Sequence, residues 1–134
     1  MSGIKQLRLV VHATDYDAAV RFFRDVLGAP VAEEYAGDGG AHVTILDVGR
    51  ATLELSNDAQ IELIDRVEVG RRVAPHFRVA LEVDDCEVST RDAIAGGAEE
   101  IAPPTRTPWD SLNSRLAAPA DVQLTLFQEL GPTP

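Results

Sequence analysis

The chain repeats itself, and that constrains its fold more than any single motif does. Leu7 to His12 alternates in the manner of a strand, with Leu7, Leu9 and Val11 on one face and Arg8, Val10 and His12 on the other. Asp15 is suited to cap a helix, and Ala19, Val20, Phe23, Val26 and Leu27 recur at helical spacing over Tyr16 to Leu27. Gly28 and Pro30 stop it. Strands are then predicted over Val31 to Tyr35, His42 to Val48 and Ala51 to Ser56, separated by turns at Asp38-Gly39-Gly40 and Gly49-Arg50. The same order returns with a strand over Phe77 to Val83 and a helix from Asp85 to Gly96-Gly97. Strands over Glu99 to Ala102, Leu112 to Leu116 and Val122 to Phe127 complete it. Arg8 and Arg78 stand 70 residues apart, Asp15 and Asp85 also 70, and Glu54 and Thr125 71.

The pattern predicts an α+β fold of paired βαβββ modules forming a curved mixed sheet around a cup, with the helices outside. Residues 1–56 form the first module and 76–130 the second. Residues 57–75 connect them and contain a short helix over Ala59 to Val67, with Leu63 and Val67 inward; 131–134 form a loose tail. At 134 residues the chain has room for one core. A net charge of −10 opposes phosphate backbones and anionic lipid, so neither nucleic acid nor membrane is expected as a partner. No apolar run approaches the roughly 20 residues of a bilayer span. The first residues lack a signal-peptide core and Cys86 has no disulfide partner, so the expected location is the cytoplasm.

Asp15-Tyr-Asp-Ala-Ala-Val-Arg-Phe-Phe-Arg-Asp-Val-Leu-Gly28 resembles the first helix of the vicinal oxygen chelate superfamily. That superfamily includes glyoxalase I, bleomycin-resistance proteins, fosfomycin-resistance enzymes and extradiol dioxygenases. Ala51-Thr-Leu-Glu-Leu55, Val79-Ala-Leu-Glu-Val-Asp84 and Thr107-Pro-Trp109 extend the resemblance over nearly the whole chain. The family's Asp-Pro-Asp-Gly type of turn survives only as Ala118-Pro-Ala-Asp121. The resemblance implies paired βαβββ modules and, for many members of this size, a homodimer.

Metal-dependent members of that superfamily place a His or similar ligand on the first strand of each module and a Glu on the last. Carried over, those positions fall on Arg8, Glu54, Arg78 and Thr125. Arginine offers no lone pair, and one carboxylate with one hydroxyl falls short of the three ligands a catalytic metal needs. The expectation is therefore a scaffold without a metal or other cofactor. A competing set uses His12, Glu54 and His76, with Glu82 as an optional fourth ligand. His12 lies four residues after Arg8 and His76 two before Arg78, which at about 3.3 Å per residue is expected to send them toward opposite ends of the cup.

The inward faces carry Arg8, His12, Thr52, Glu54, His76, Arg78, Glu82, Gln123 and Thr125, where a plain core would be apolar. Two readings stay open. Glu54 between Arg8 and Arg78 is an internal ion-pair cluster, or the cup is a wet pocket whose arginines hold an acidic or carbonyl-rich small molecule. Trp109 stacks on a flat ligand or anchors its loop, and Phe127 is pocket wall or core. Flanked by two guanidiniums, Glu54 is expected to have a depressed pKa and to be a poor base. The functional expectation is a metal-free binding protein similar to the bleomycin-resistance type, which sequesters a drug. The alternative is a metal-dependent lyase, isomerase or dioxygenase.

Overall fold

The computed structural model describes residues 3–26, 28–119 and 122–131. Leu27, the Ala120-Asp121 end of the second-module turn and residues 132–134 of the tail lie outside the described residues. The first half runs β1 (Gln6–His12), α1 (Tyr16–Val20), β2 (Val31–Ala36), β3 (His42–Asp47) and β4 (Thr52–Ser56). Helix α2 (Asp58–Glu68) connects it to β5 (Phe77–Glu82), α3 (Cys86–Ala95), β6 (Glu99–Arg106), β7 (Ser111–Ala118) and β8 (Val122–Glu129). The eight strands form one open mixed sheet in the order β2-β3-β4-β1-β5-β8-β7-β6. This is the α+β architecture that the repeat predicts, with one half of the strands on each side of the β1–β5 seam.

The register makes the repeat physical. β1 and β5 run antiparallel with Leu9 opposite Val79, Arg8 opposite Ala80 and Val10 opposite Arg78. β4 lies parallel to β1 with Glu54 opposite Val10, and β8 lies parallel to β5 with Thr125 opposite Ala80. Arg8 matches Arg78, and Glu54 matches Thr125, about a pseudo-twofold axis through the seam.

Alternation along each strand sends apolar residues to the face that α1 and α3 cover. Val20 of α1 packs on Leu46 and Leu55, while Cys86 at the start of α3 packs with Val83, Leu116 and Leu126. All three helices begin on a side-chain cap. Asp15 accepts from the Ala18 N–H at 3.2 Å, Asn57 from Gln60 at 2.9 Å and Asp85 from Val88 at 3.1 Å. α2 packs on the opposite face, where Ile61 meets Val10, Ala80 and Phe127.

Three local expectations need correction. The α-helix expected over Tyr16 to Leu27 widens into a π-type turn over Arg21–Val26. An i→i+5 turn shifts the facing of every later residue, so Val26, expected in the buried stripe, is 70% exposed. β6 runs through Pro103 and Pro104 to Arg106 rather than stopping at Ala102. It is an edge strand, where a proline need not donate to a ladder. The fully buried residues of α2 are Ile61, Asp65 and Glu68, two of which answer a buried arginine described below; Leu63 and Val67, expected to pack inward, are only half-buried. Among the described residues no helix is long and apolar enough to cross a membrane.

Candidate functional site

Between α2 and the sheet lies a cavity of about 510 Å³. The sheet supplies its floor and α2 one wall through Gln60, Leu63, Ile64 and Glu68. The cup therefore depends on the connecting helix as well as on the two halves of the sheet. Of the site residues expected from sequence, Arg8, Glu54, Arg78, Trp109, Thr125 and Phe127 line it.

His12, His76 and Gln123 lie outside the wall. His12 hydrogen-bonds the Asp58 carboxylate at the start of α2. His76 lies edge-on to Phe77, ring centres 4.4 Å apart. Gln123 donates to the Val73 carbonyl at 3.0 Å and accepts from Arg115 at 2.9 Å. The two histidines are also not at opposite ends. The His12 N–H donates to the His76 carbonyl at 2.9 Å. In an antiparallel pair, a step forward on one strand and a step backward on the other lead the same way, so opposite offsets converge.

At the floor, Arg78 is buried and Nη1 donates to Thr125 Oγ1 at 2.6 Å. Its Nε has no partner among the described residues. Burial, then repulsion from Arg115, pushes the Arg78 guanidinium below its usual range. Arg8 donates from Nε to Gln6 Oε1 at 2.7 Å and lies 4.9 Å over the Phe127 ring. Its Nη1 is 3.9 Å from Glu54 Oε1, too long for a hydrogen bond. The Glu54 carboxylate accepts no hydrogen bond from any described residue.

The expectation of a depressed Glu54 pKa is overturned. Burial raises it, and the charges of Arg78 and Arg8 oppose this without winning. Two nearby guanidiniums help less than expected because one turns to Thr125 and the other to Gln6 and Phe127. Burial likewise raises Glu129, at the cavity wall, against the charge of Arg8.

A second polar cluster, not expected from sequence, holds α2 in place. Arg115 is fully buried on β7. Its Nη1 donates to Asp65 at 2.8 Å and its Nη2 to Glu68 at 2.9 Å. Asp65 also accepts from the Val73 and Ala74 N–H groups at 2.8 and 2.9 Å, and Asn113 donates to Glu68 at 2.9 Å. A signal for the cluster exists in the sequence. Ser111, Asn113 and Arg115 alternate with Leu112 and Leu116 in a strand, and Asp65 and Glu68 are three apart on a helix.

The donor chemistry does not fit a divalent cation. The four positions that the family resemblance points to hold two guanidiniums, one carboxylate and one hydroxyl, and the hydroxyl already accepts from Arg78. Among the described residues no three His, Cys, Asp or Glu side chains gather in a way that could hold a metal ion.

A family profile described as the Glyoxalase/Bleomycin resistance protein/Dioxygenase superfamily matches residues 5–126. No curated protein matches the chain at a significant level. Among solved structures, a hypothetical protein from Bacillus halodurans superposes with a TM-score of 0.68 at 12% identity, covering 99% of this chain and 98% of that one. Methylmalonyl-CoA epimerase from Mycobacterium tuberculosis gives 0.61 at 22% identity, covering 98% and 89%. A glyoxalase/bleomycin resistance protein/dioxygenase superfamily member from Vibrio splendidus gives 0.59 at 14%, covering 95% and 99%. At these identities the likeness is one of fold.

Proposed function

The chain belongs to the glyoxalase/bleomycin resistance protein/dioxygenase superfamily, and from that premise we propose that it binds a small organic molecule in the cavity without a divalent metal. In this reading it works as the bleomycin-resistance type does, by holding its ligand, and as a homodimer. The observation that carries the reading is the floor itself. A cavity of about 510 Å³ falls within the usual range of ligand sites, and guanidiniums stand where metal-dependent relatives need lone pairs. Six of the nine residues singled out from sequence line that cavity.

The test pairs two titrations of the purified protein. Calorimetry with Zn²⁺, Ni²⁺, Mn²⁺ and Co²⁺ gives no stoichiometric binding that depends on Glu54. Fluorescence of Trp109, the single tryptophan, responds saturably to members of a panel of small aromatic compounds. One metal ion per chain, lost in Glu54→Gln, would reverse the reading in favour of a metal-dependent enzyme. A silent panel would remove the binding role. Sedimentation velocity tests the dimer, and a single monomer peak at micromolar concentration contradicts it.

One observation favours a second reading, an enzyme that moves a proton without a metal. Glu54 faces the cavity with no hydrogen bond, and burial raises its pKa toward the range of a useful acid or base. In that case Glu54→Gln abolishes turnover of a bound compound while leaving its affinity unchanged.

A further inference from the structure

Among the described residues that line the cavity, Arg78 is the one with a sealed side-chain polar atom that has no partner. A guanidinium carries five N–H donors, and this one is buried with a single hydrogen bond, Nη1 to Thr125. Among the described residues no carboxylate lies within ion-pair distance of it, and Glu54 makes its one ion pair with Arg8. Nε is sealed from solvent and unpartnered. Nη2 has no hydrogen bond to a described residue and is not sealed, so its donors open toward the cavity that Arg78 lines. Burying such donors without acceptors is unfavourable. A ligand acceptor relieves it.

The surroundings say which kind of acceptor. Within and behind the wall, Arg8, Arg72, Arg78 and Arg115 face five carboxylates: Glu33, Glu54, Glu68, Glu129 and Asp65. Positive charge is already short, and an anionic ligand would add to the shortage at Glu54. A neutral carbonyl oxygen accepts hydrogen bonds without adding charge. The rest of the space offers flat apolar contact, with Trp109 at 44% exposure and the Phe127 ring within the wall.

We propose that Arg78, held by Thr125, is the anchor for the carbonyl oxygen of a neutral, flat ligand, an amide or a ketone on an aromatic body. The guanidinium then receives ligand oxygen by hydrogen bonding at a position where metal-dependent relatives would use a cation. This inference rests on the reading that the cavity binds an organic molecule, and it names the class of that molecule.

The experiment titrates the full chain with benzamide, benzoate and benzylammonium, three probes of similar size. It is followed by Trp109 fluorescence and by calorimetry, so that a silent tryptophan does not hide binding. Benzamide is expected to bind tightest. Arg78→Met is expected to weaken it about tenfold, the effect of losing a hydrogen bond to a charged group, and Thr125→Val to weaken it less. Circular dichroism confirms that each variant is folded. Tightest binding of benzylammonium would make the carboxylates the anchor and overturn the proposal. Tightest binding of benzoate would overturn the choice of a neutral ligand. Unchanged benzamide affinity in folded Arg78→Met would remove Arg78 as the anchor while leaving the cavity a binding site. Binding of none of the three would remove the binding reading itself.

Discussion

A buried carboxylate, Asp65, and a half-buried one, Glu54, sit on opposite sides of the same problem. Burial pushes Asp65 up, but the Ala74 and Val73 N–H groups and then Arg115 bring it below its ordinary value. Burial pushes Glu54 up as well, and no described residue donates to it, so it stays raised. The difference lies in hydrogen bonds, not in the count of nearby arginines. Glu54 has two guanidiniums close by in sequence register and gains little, because each is committed elsewhere. Asp65 has Arg115 hydrogen-bonded to it, Arg72 at 3.7 Å and two backbone donors. The Arg115 cluster, paired through both Nη groups though not through Nε, pins α2 to the sheet. The unsatisfied one faces the cavity. The groups that pin α2 and the groups that line the cavity are thus separate, neighbouring polar sets on one face of the sheet.

The comparison breaks most visibly at Arg115. Arg115→Met leaves Asp65 and Glu68 buried without their shared partner, and should cost about 3–5 kcal/mol in urea denaturation. Hydrogen exchange across 58–68 should rise with it, since the cluster is what holds α2. Asp65→Asn is next, with a loss of about 2 kcal/mol near neutral pH. Its pH dependence has a definite sign. A lowered folded pKa confers stability that is fully present above 3.8, the ordinary aspartate value. That stability is lost as pH falls through the folded value, so the two proteins converge in acid.

Glu54→Gln sharpens the comparison by going the other way. A raised folded pKa means that charging Glu54 opposes folding. Below 4.5, the ordinary glutamate value, the side chain is neutral folded or unfolded and the penalty is absent; it appears as pH rises through the folded value. The variant should therefore be more stable than the natural chain at pH 7, by on the order of 1 kcal/mol. That gain should vanish near pH 4. Equal or lower stability of Glu54→Gln at pH 7, in the same urea series, contradicts the assignment.

The fold was legible because strand alternation and the 70-residue offset are both written in residue types. Arg8, Glu54, Arg78 and Thr125 fell on one face for that reason, and the register bears out their pairing about the seam. What the sequence hid was three-dimensional direction. Nothing in the order of residues says that Arg78 turns to Thr125 or that Arg8 lies over Phe127, and those turns decide the state of Glu54. The π-type turn after Val20 is equally silent, because its residues keep an apolar spacing that an α-helix would also accept. Asp65 and Glu68 were hidden by a different route. On a helix facing a sheet, charged residues read as the wet side until a buried arginine across the gap is known.

Carbon-13 NMR of the side-chain carboxyl groups, followed from pH 2 to 9, tests the central claim most directly. The account predicts a Glu54 midpoint above 4.5 and an Asp65 midpoint below 3.8. A Glu54 midpoint below 4.5 would mean that the two arginines do compensate it, and the cavity floor would be a closed ion-pair cluster.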